Sequence, residues 1–133
     1  MFLALMSLIG CELPGTTCTM MFVPNTLTIE ATRETWEGDV VVDIEDADGE
    51  LMVCTLLAEE AETECDDNGS SISIAGDTLT ISMWNHAPDS VRVGFSVDGA
   101  APESVELFPE YEEYEPNGSG CGVTRTGTVM VAL

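Results

Sequence analysis

The sequence contains no lysine, three arginines (Arg33, Arg92 and Arg125) and one histidine, His86, against 25 aspartates and glutamates, so its formal net charge is -22. A surface so poor in cations repels phosphate backbones and has almost nothing to neutralise them, which argues against nucleic acid and against anionic lipid headgroups as partners. With a single histidine and no C-x-x-C pair, the usual zinc ligand sets are missing. A serine hydrolase would have to use His86, in "WNHAPDS", as its base. The nucleophile elbow G-x-S-x-G is also absent, because Gly94-Phe95-Ser96-Val97 is followed by Asp98. Carboxylates are so numerous that no pair is singled out for glycoside chemistry. The chain is therefore not read as an enzyme, and no catalytic residue, metal ligand or cofactor is assigned. Long apolar runs are lacking too: Phe2–Gly10 spans nine residues, where a membrane helix needs about 20.

Helical periodicity is scarce. The best candidate, "LLAEEAETECDD", lies between two cysteines and reads equally well as an acidic loop or one helical turn. Alternation with period two dominates instead: Leu27, Ile29, Ala31; Val40, Val42, Ile44; Ile72, Ile74; Leu79, Ile81, Met83; Val91, Val93, Phe95, Val97; Val105, Leu107; and Val129, Val131. Such spacing puts apolar side chains on one face of a half-buried strand. The run "ELMVCTLL" is apolar in both phases and reads as a strand covered on both faces. Asp48-Gly49, Asn68-Gly69, Gly76-Asp77 and Asp98-Gly99 supply turn residues between these segments. A chain of 133 residues, 44% of them hydrophobic, can bury a core as one domain. The pattern predicts an all-β fold, an antiparallel immunoglobulin-like β-sandwich of seven to nine strands, over residues 18–133.

The acidic loop "DIEDADGE" has carboxylates at alternating positions before a glycine, as a calcium loop begins. With Gly49 at the invariant glycine, however, Ile44 falls on the first ligand and Thr55 on the closing glutamate. A hairpin is the better reading. "EEAETECDD" and "PEYEEYE" are read mainly as solvated faces, with weak calcium binding between loops as the alternative. Trp36 and Trp84 stand beside turns, where a tryptophan either covers the end of the core or offers a binding platform.

Leu8-Ile9-Gly10-Cys11 resembles a bacterial lipobox, with leucine three residues before the cysteine and a small residue directly before it. No lysine or arginine precedes Arg33, so the basic n-region of such signals is not found in these residues. The resemblance implies that residues 1–10 are a signal peptide and that Cys11 is lipidated and begins the mature chain. Residues 11–17 then form a tether to the membrane. Glu12, rather than aspartate, follows that cysteine, which implies the outer membrane. A second likeness covers Pro109–Cys121: "PEYEEYEPNGSGC" is similar to a C-terminal element of small bacterial lipoproteins of unassigned function with β-sandwich domains. Members often carry another cysteine shortly afterwards, where this chain has Thr124 to Thr126.

With Cys11 set aside, Cys18, Cys54, Cys65 and Cys121 form an even set in an exported chain, as a disulfide framework requires. Three connectivities are possible, and Cys54–Cys65 with Cys18–Cys121 is the favoured one. The expected function is a lipid-anchored binding or structural module of the cell envelope. It would meet the membrane through lipid on Cys11 and recognise a basic or calcium-bridged protein or glycan partner. A secreted hydrolase or inhibitor domain is the alternative from another class.

Overall fold

The computed structural model describes Cys18 and residues 21–133; Cys11, the lipobox and the tether lie outside the described residues. The strands are β1 (Thr26–Thr32), β2 (Val40–Asp46), β3 (Gly49–Leu56), β4 (Glu62–Glu64), β5 (Ser71–Ala75), β6 (Thr78–Trp84), β7 (Val91–Val97), β8 (Glu103–Leu107), β9 (Glu112–Tyr114) and β10 (Thr124–Ala132). They form a six-stranded sheet in the order β4-β5-β6-β1-β10-β9 and a four-stranded sheet in the order β3-β2-β7-β8. Among the described residues there is no helix. The architecture is an all-β sandwich.

Alternation explains the core. Leu27, Ile29 and Ala31 of β1 and Leu79, Ile81 and Met83 of β6 are buried on the larger sheet; Val40, Val42 and Ile44 of β2 and Val91, Val93 and Phe95 of β7 are buried on the smaller one. Two apolar faces of this kind remain stable only when each removes the other from water. At Asp98-Gly99 both residues have positive φ, 54° and 77°, and a tight turn there, closed by the Ala100 N–H donating to the Val97 carbonyl at 3.1 Å, begins the connection from β7 to β8.

Four details differ from the expectation. The described residues hold ten strands rather than seven to nine, the excess being β4 and β9, of three residues each. Strands so short and so rich in glutamate carry no readable alternation. The sandwich is not wholly antiparallel, because β10 runs parallel to β1, with Thr26 beside Thr126 and Thr32 beside Ala132. Alternation fixes a strand's faces but is silent on its direction. "LLAEEAETECDD" forms a turn and β4 instead of a helical turn. Finally, β3 is not covered on both faces: Met52, Cys54 and Leu56 are buried, whereas Thr55 is exposed and Leu51 and Val53 are half-buried. A bulge between Ile44 and Glu45 of β2 shifts the register at the Leu51 end of β3.

Candidate functional site

Because Thr32 pairs with Thr78 and Val40 with Val97, the loop 33–39, the turn Gly76-Asp77 and the turn Asp98-Gly99 meet at one end of the sandwich. Trp36 closes that end. Its Nε1–H donates to the Asp77 carbonyl at 2.9 Å, and its ring lies 6.2 Å from that of Phe95. The Arg33 guanidinium sits 5.3 Å from the centre of the Trp36 ring. This is the core-covering role, with the indole N–H satisfied by backbone. Beside it opens a cleft of about 260 Å³ lined by Arg33, Glu37, Phe95, Asp98 and Glu103 among others. Arg92 and Arg125 each have a carboxylate within 4.0 Å, whereas Arg33 has none among the described residues. The cleft thus presents the Arg33 guanidinium, engaged with the Trp36 ring but without an ion-pair partner among the described residues, beside the carboxylates of Glu37, Asp98 and Glu103. Gly38, at φ 87°, lets the loop pass against Asp98, whose Oδ1 would lie 2.5 Å from any added Cβ.

At the opposite end, His86 Nε2 lies 3.3 Å from Asp67 Oδ2. Ser70, fully buried, donates through Oγ to the same Oδ2 at 2.7 Å, and its Oγ accepts the Trp84 N–H at 2.8 Å. The order is serine, aspartate, histidine. The carboxylate stands between the other two, so His86 makes no contact with the hydroxyl that a hydrolase base would have to deprotonate. The cluster acts as a clasp between the 66–70 segment and the loop after β6. Trp84 itself is exposed and touches Phe22, ring centroids 6.1 Å apart.

A second polar cluster lies where β9 joins β10. The Arg125 guanidinium stacks 4.3 Å from the centre of the Tyr111 ring, and its Nη1 donates to the Ala87 carbonyl at 3.3 Å. Asp89 and Glu113 flank it at 3.4 and 3.5 Å. The Nε contact with Glu113 is a charge pairing without hydrogen-bond geometry, so that buried N–H has no acceptor among the described residues. Tyr111 donates its hydroxyl to the Pro88 carbonyl at 2.7 Å. Burial pushes the Tyr111 pKa up to about 12, with Arg125 opposing the rise and Asp89 adding to it. The sequence marked Tyr111 only as part of the Pro109–Cys121 element and Arg125 only as one of three arginines; nothing in it brought the two together.

The carboxylates of the β2–β3 hairpin are used locally. Asp46 Oδ1 accepts the Asp48 N–H at 2.8 Å, closing the turn, and Glu45 pairs with Arg92 across the strands at 3.5 Å. Among the described residues no three histidine, cysteine, aspartate or glutamate side chains converge as a metal site. The disulfides are Cys54–Cys65 and Cys18–Cys121, the favoured pairing. The first ties β3 to the segment after β4, and the second ties the start of the described chain to the loop before β10. Compared with known proteins, the chain matches no family model, no curated protein and no solved structure.

Proposed function

We propose that this chain is an exported, lipid-anchored binding module of the bacterial cell envelope, held at the outer membrane by acyl groups on Cys11. The observation that carries the reading is the cysteine set. Two disulfides use Cys18, Cys54, Cys65 and Cys121, as oxidising compartments allow, and the remaining cysteine is the one inside the lipobox-like Leu8-Ile9-Gly10-Cys11. Acyl chains on that residue would fix a compact domain to a membrane, with more than one chain needed for stable attachment. The sandwich itself is read as immunoglobulin-like. Supporting this, β5-β6-β1 and β3-β2-β7-β8 pair as D-E-B and C′-C-F-G strands do, with β10 at the place of strand A but parallel to its neighbour. In that scheme the cleft beside Arg33 lies among the loops that immunoglobulin domains use for binding.

A partner rich in lysine or arginine suits a surface of net charge -22, and its association rate would fall with ionic strength. The deciding experiment is the intact mass of the protein recovered from the membrane fraction, with thiols alkylated before and after reduction. A chain beginning at Cys11 and carrying acyl groups, with four cysteines alkylated only after reduction, supports the reading. A chain retaining residues 1–10 without lipid overturns it.

A further inference from the structure

Sheet edges expose unpaired backbone groups, and stable proteins guard them with charge, proline, brevity or a covering segment. Most edges here are guarded. The β3 edge is capped by Asp66, whose Oδ1 accepts the Val53 N–H at 2.7 Å and whose N–H donates to the Val53 carbonyl at 3.0 Å. Strand β4 has three residues, two of them glutamates. Strand β8 carries Glu103 and Glu106 and lies between Pro102 and Pro109. The last edge differs, because β9 covers only Thr124–Thr126 of the nine residues of β10.

The direction of the remaining groups follows from the pairing. Leu133 N–H donates to the Thr32 carbonyl and Arg125 N–H to Asn25 Oδ1, both on the β1 side. Odd residues of β10 therefore turn their backbone groups towards β1. Even residues turn theirs the other way, as the pairing of Thr124 with Tyr114 and of Thr126 with Glu112 agrees. The N–H and C=O groups of Thr128, Met130 and Ala132 thus point off the sheet edge with no strand beside them among the described residues. Residues 127–133, "GTVMVAL", contain no charge and no proline, and Met130 is 75% exposed. The slot ends against β9, where Glu112 and Glu113 stand beside Thr126 and Arg125.

We propose that the β10 edge from Thr128 to Ala132 is a strand-addition site for an extended apolar segment of a partner protein that carries lysine or arginine at the end that meets β9. Main-chain hydrogen bonds would supply binding, and the Glu112 carboxylate beside Thr126, with Glu113 already facing Arg125, would select a cationic flank there. A second copy of this chain is the less suitable occupant, since each copy has net charge -22 and the copies repel one another. The proposal rests on the reading of the chain as a binding module and names its surface.

The test uses the full chain with both disulfides formed and a peptide of alternating valine and threonine flanked by lysines. Its counterpart is flanked by glutamates. Isothermal titration gives affinity, and hydrogen exchange gives the location. We expect the lysine peptide to bind, to slow amide exchange at Thr128, Met130 and Ala132 about tenfold, and to lose about tenfold in affinity in Met130→Pro, equivalent to ~1.4 kcal/mol. Proline at that position removes an outward N–H and keeps the pairing to β1. Met130→Lys, which guards the edge without a backbone change, should act in the same direction. The proposal falls if the lysine peptide does not bind, if the glutamate peptide binds equally well, or if binding survives both variants. It also falls if light scattering finds a dimer that Met130→Pro dissociates. None of these results bears on the acylated mass of the membrane-derived protein, so the anchor reading stands or fails separately.

Discussion

Arg125 and Tyr111 form a stacked pair, guanidinium to ring centre 4.3 Å, where the ends of β9 and β10 meet the loop after β6. Arg125 holds the Ala87 carbonyl and Tyr111 the neighbouring Pro88 carbonyl. Two side chains from different elements thereby fix one loop. Tyr111→Phe keeps the stack and removes one hydrogen bond, for an expected loss of about 1 kcal/mol in urea unfolding. Arg125→Ala should cost more, because it removes the stack and leaves the Ala87 carbonyl without its donor.

The raised pKa of Tyr111 sets a sign for alkaline behaviour. Between its ordinary value of 10.0 and about 12, an unfolded chain releases the phenolic proton while the folded protein retains it. Stability contributed by this group is complete below pH 10 and declines as pH rises through that window. Melting temperature should therefore fall more steeply from pH 10 to pH 12 in the natural protein than in Tyr111→Phe. Parallel curves for the two would remove Tyr111 as the cause.

Ser70 is a buried hydroxyl that both donates to Asp67 and accepts from Trp84. Ser70→Ala strands the Trp84 N–H and frees one oxygen of Asp67, at an expected cost of about 1–3 kcal/mol. His86→Ala loses only the partly exposed pairing with Asp67 and should cost less than Ser70→Ala. If His86→Ala were the more damaging, the clasp would be centred on the imidazole instead.

Gly38 and Gly76 both have positive φ, 87° and 65°, but only Gly38 faces a neighbour that an added Cβ would strike. Gly76→Ala should cost about 1 kcal/mol for the backbone conformation alone. Gly38→Ala should cost more, by the contact with Asp98. Combining it with Asp98→Gly should recover part of the difference, and a double-mutant cycle measures the coupling.

Cys54 and Cys65 are 11 residues apart and Cys18 and Cys121 are 103 apart. Loop-closure entropy then predicts losses of about 3 and about 5 kcal/mol when each pair is replaced by alanine. Calorimetry at fixed pH would rank the two, and a larger loss for the short loop would mean that packing of the buried Cys54 outweighs chain entropy.

The buried faces were legible because alternation is a local property: Leu27, Ile29, Ala31 and Leu79, Ile81, Met83 occupy the core positions that their spacing implies. The disulfide pairing was also accessible, since four cysteines leave few choices and one short separation stands out. Strands β4 and β9 were not, being too short and too acidic to alternate. Nor was the role of Ser70, Tyr111 or Arg125, because each acts through residues between 3 and 38 positions away, and nothing local marks a hydroxyl or a guanidinium for burial.

The sequence by itself determined the charge of the molecule, its strand faces, most of its turns and its cross-linkable cysteines, all of which depend on composition or near neighbours. Only the tertiary structure decided that β10 lies parallel to β1, that β9 stops opposite Thr126, and that the outward backbone groups of Thr128, Met130 and Ala132 have no strand beside them among the described residues. Strand order and direction arise from contacts between segments about a hundred residues apart in the chain, and the period-two code is the same whichever neighbour a strand takes.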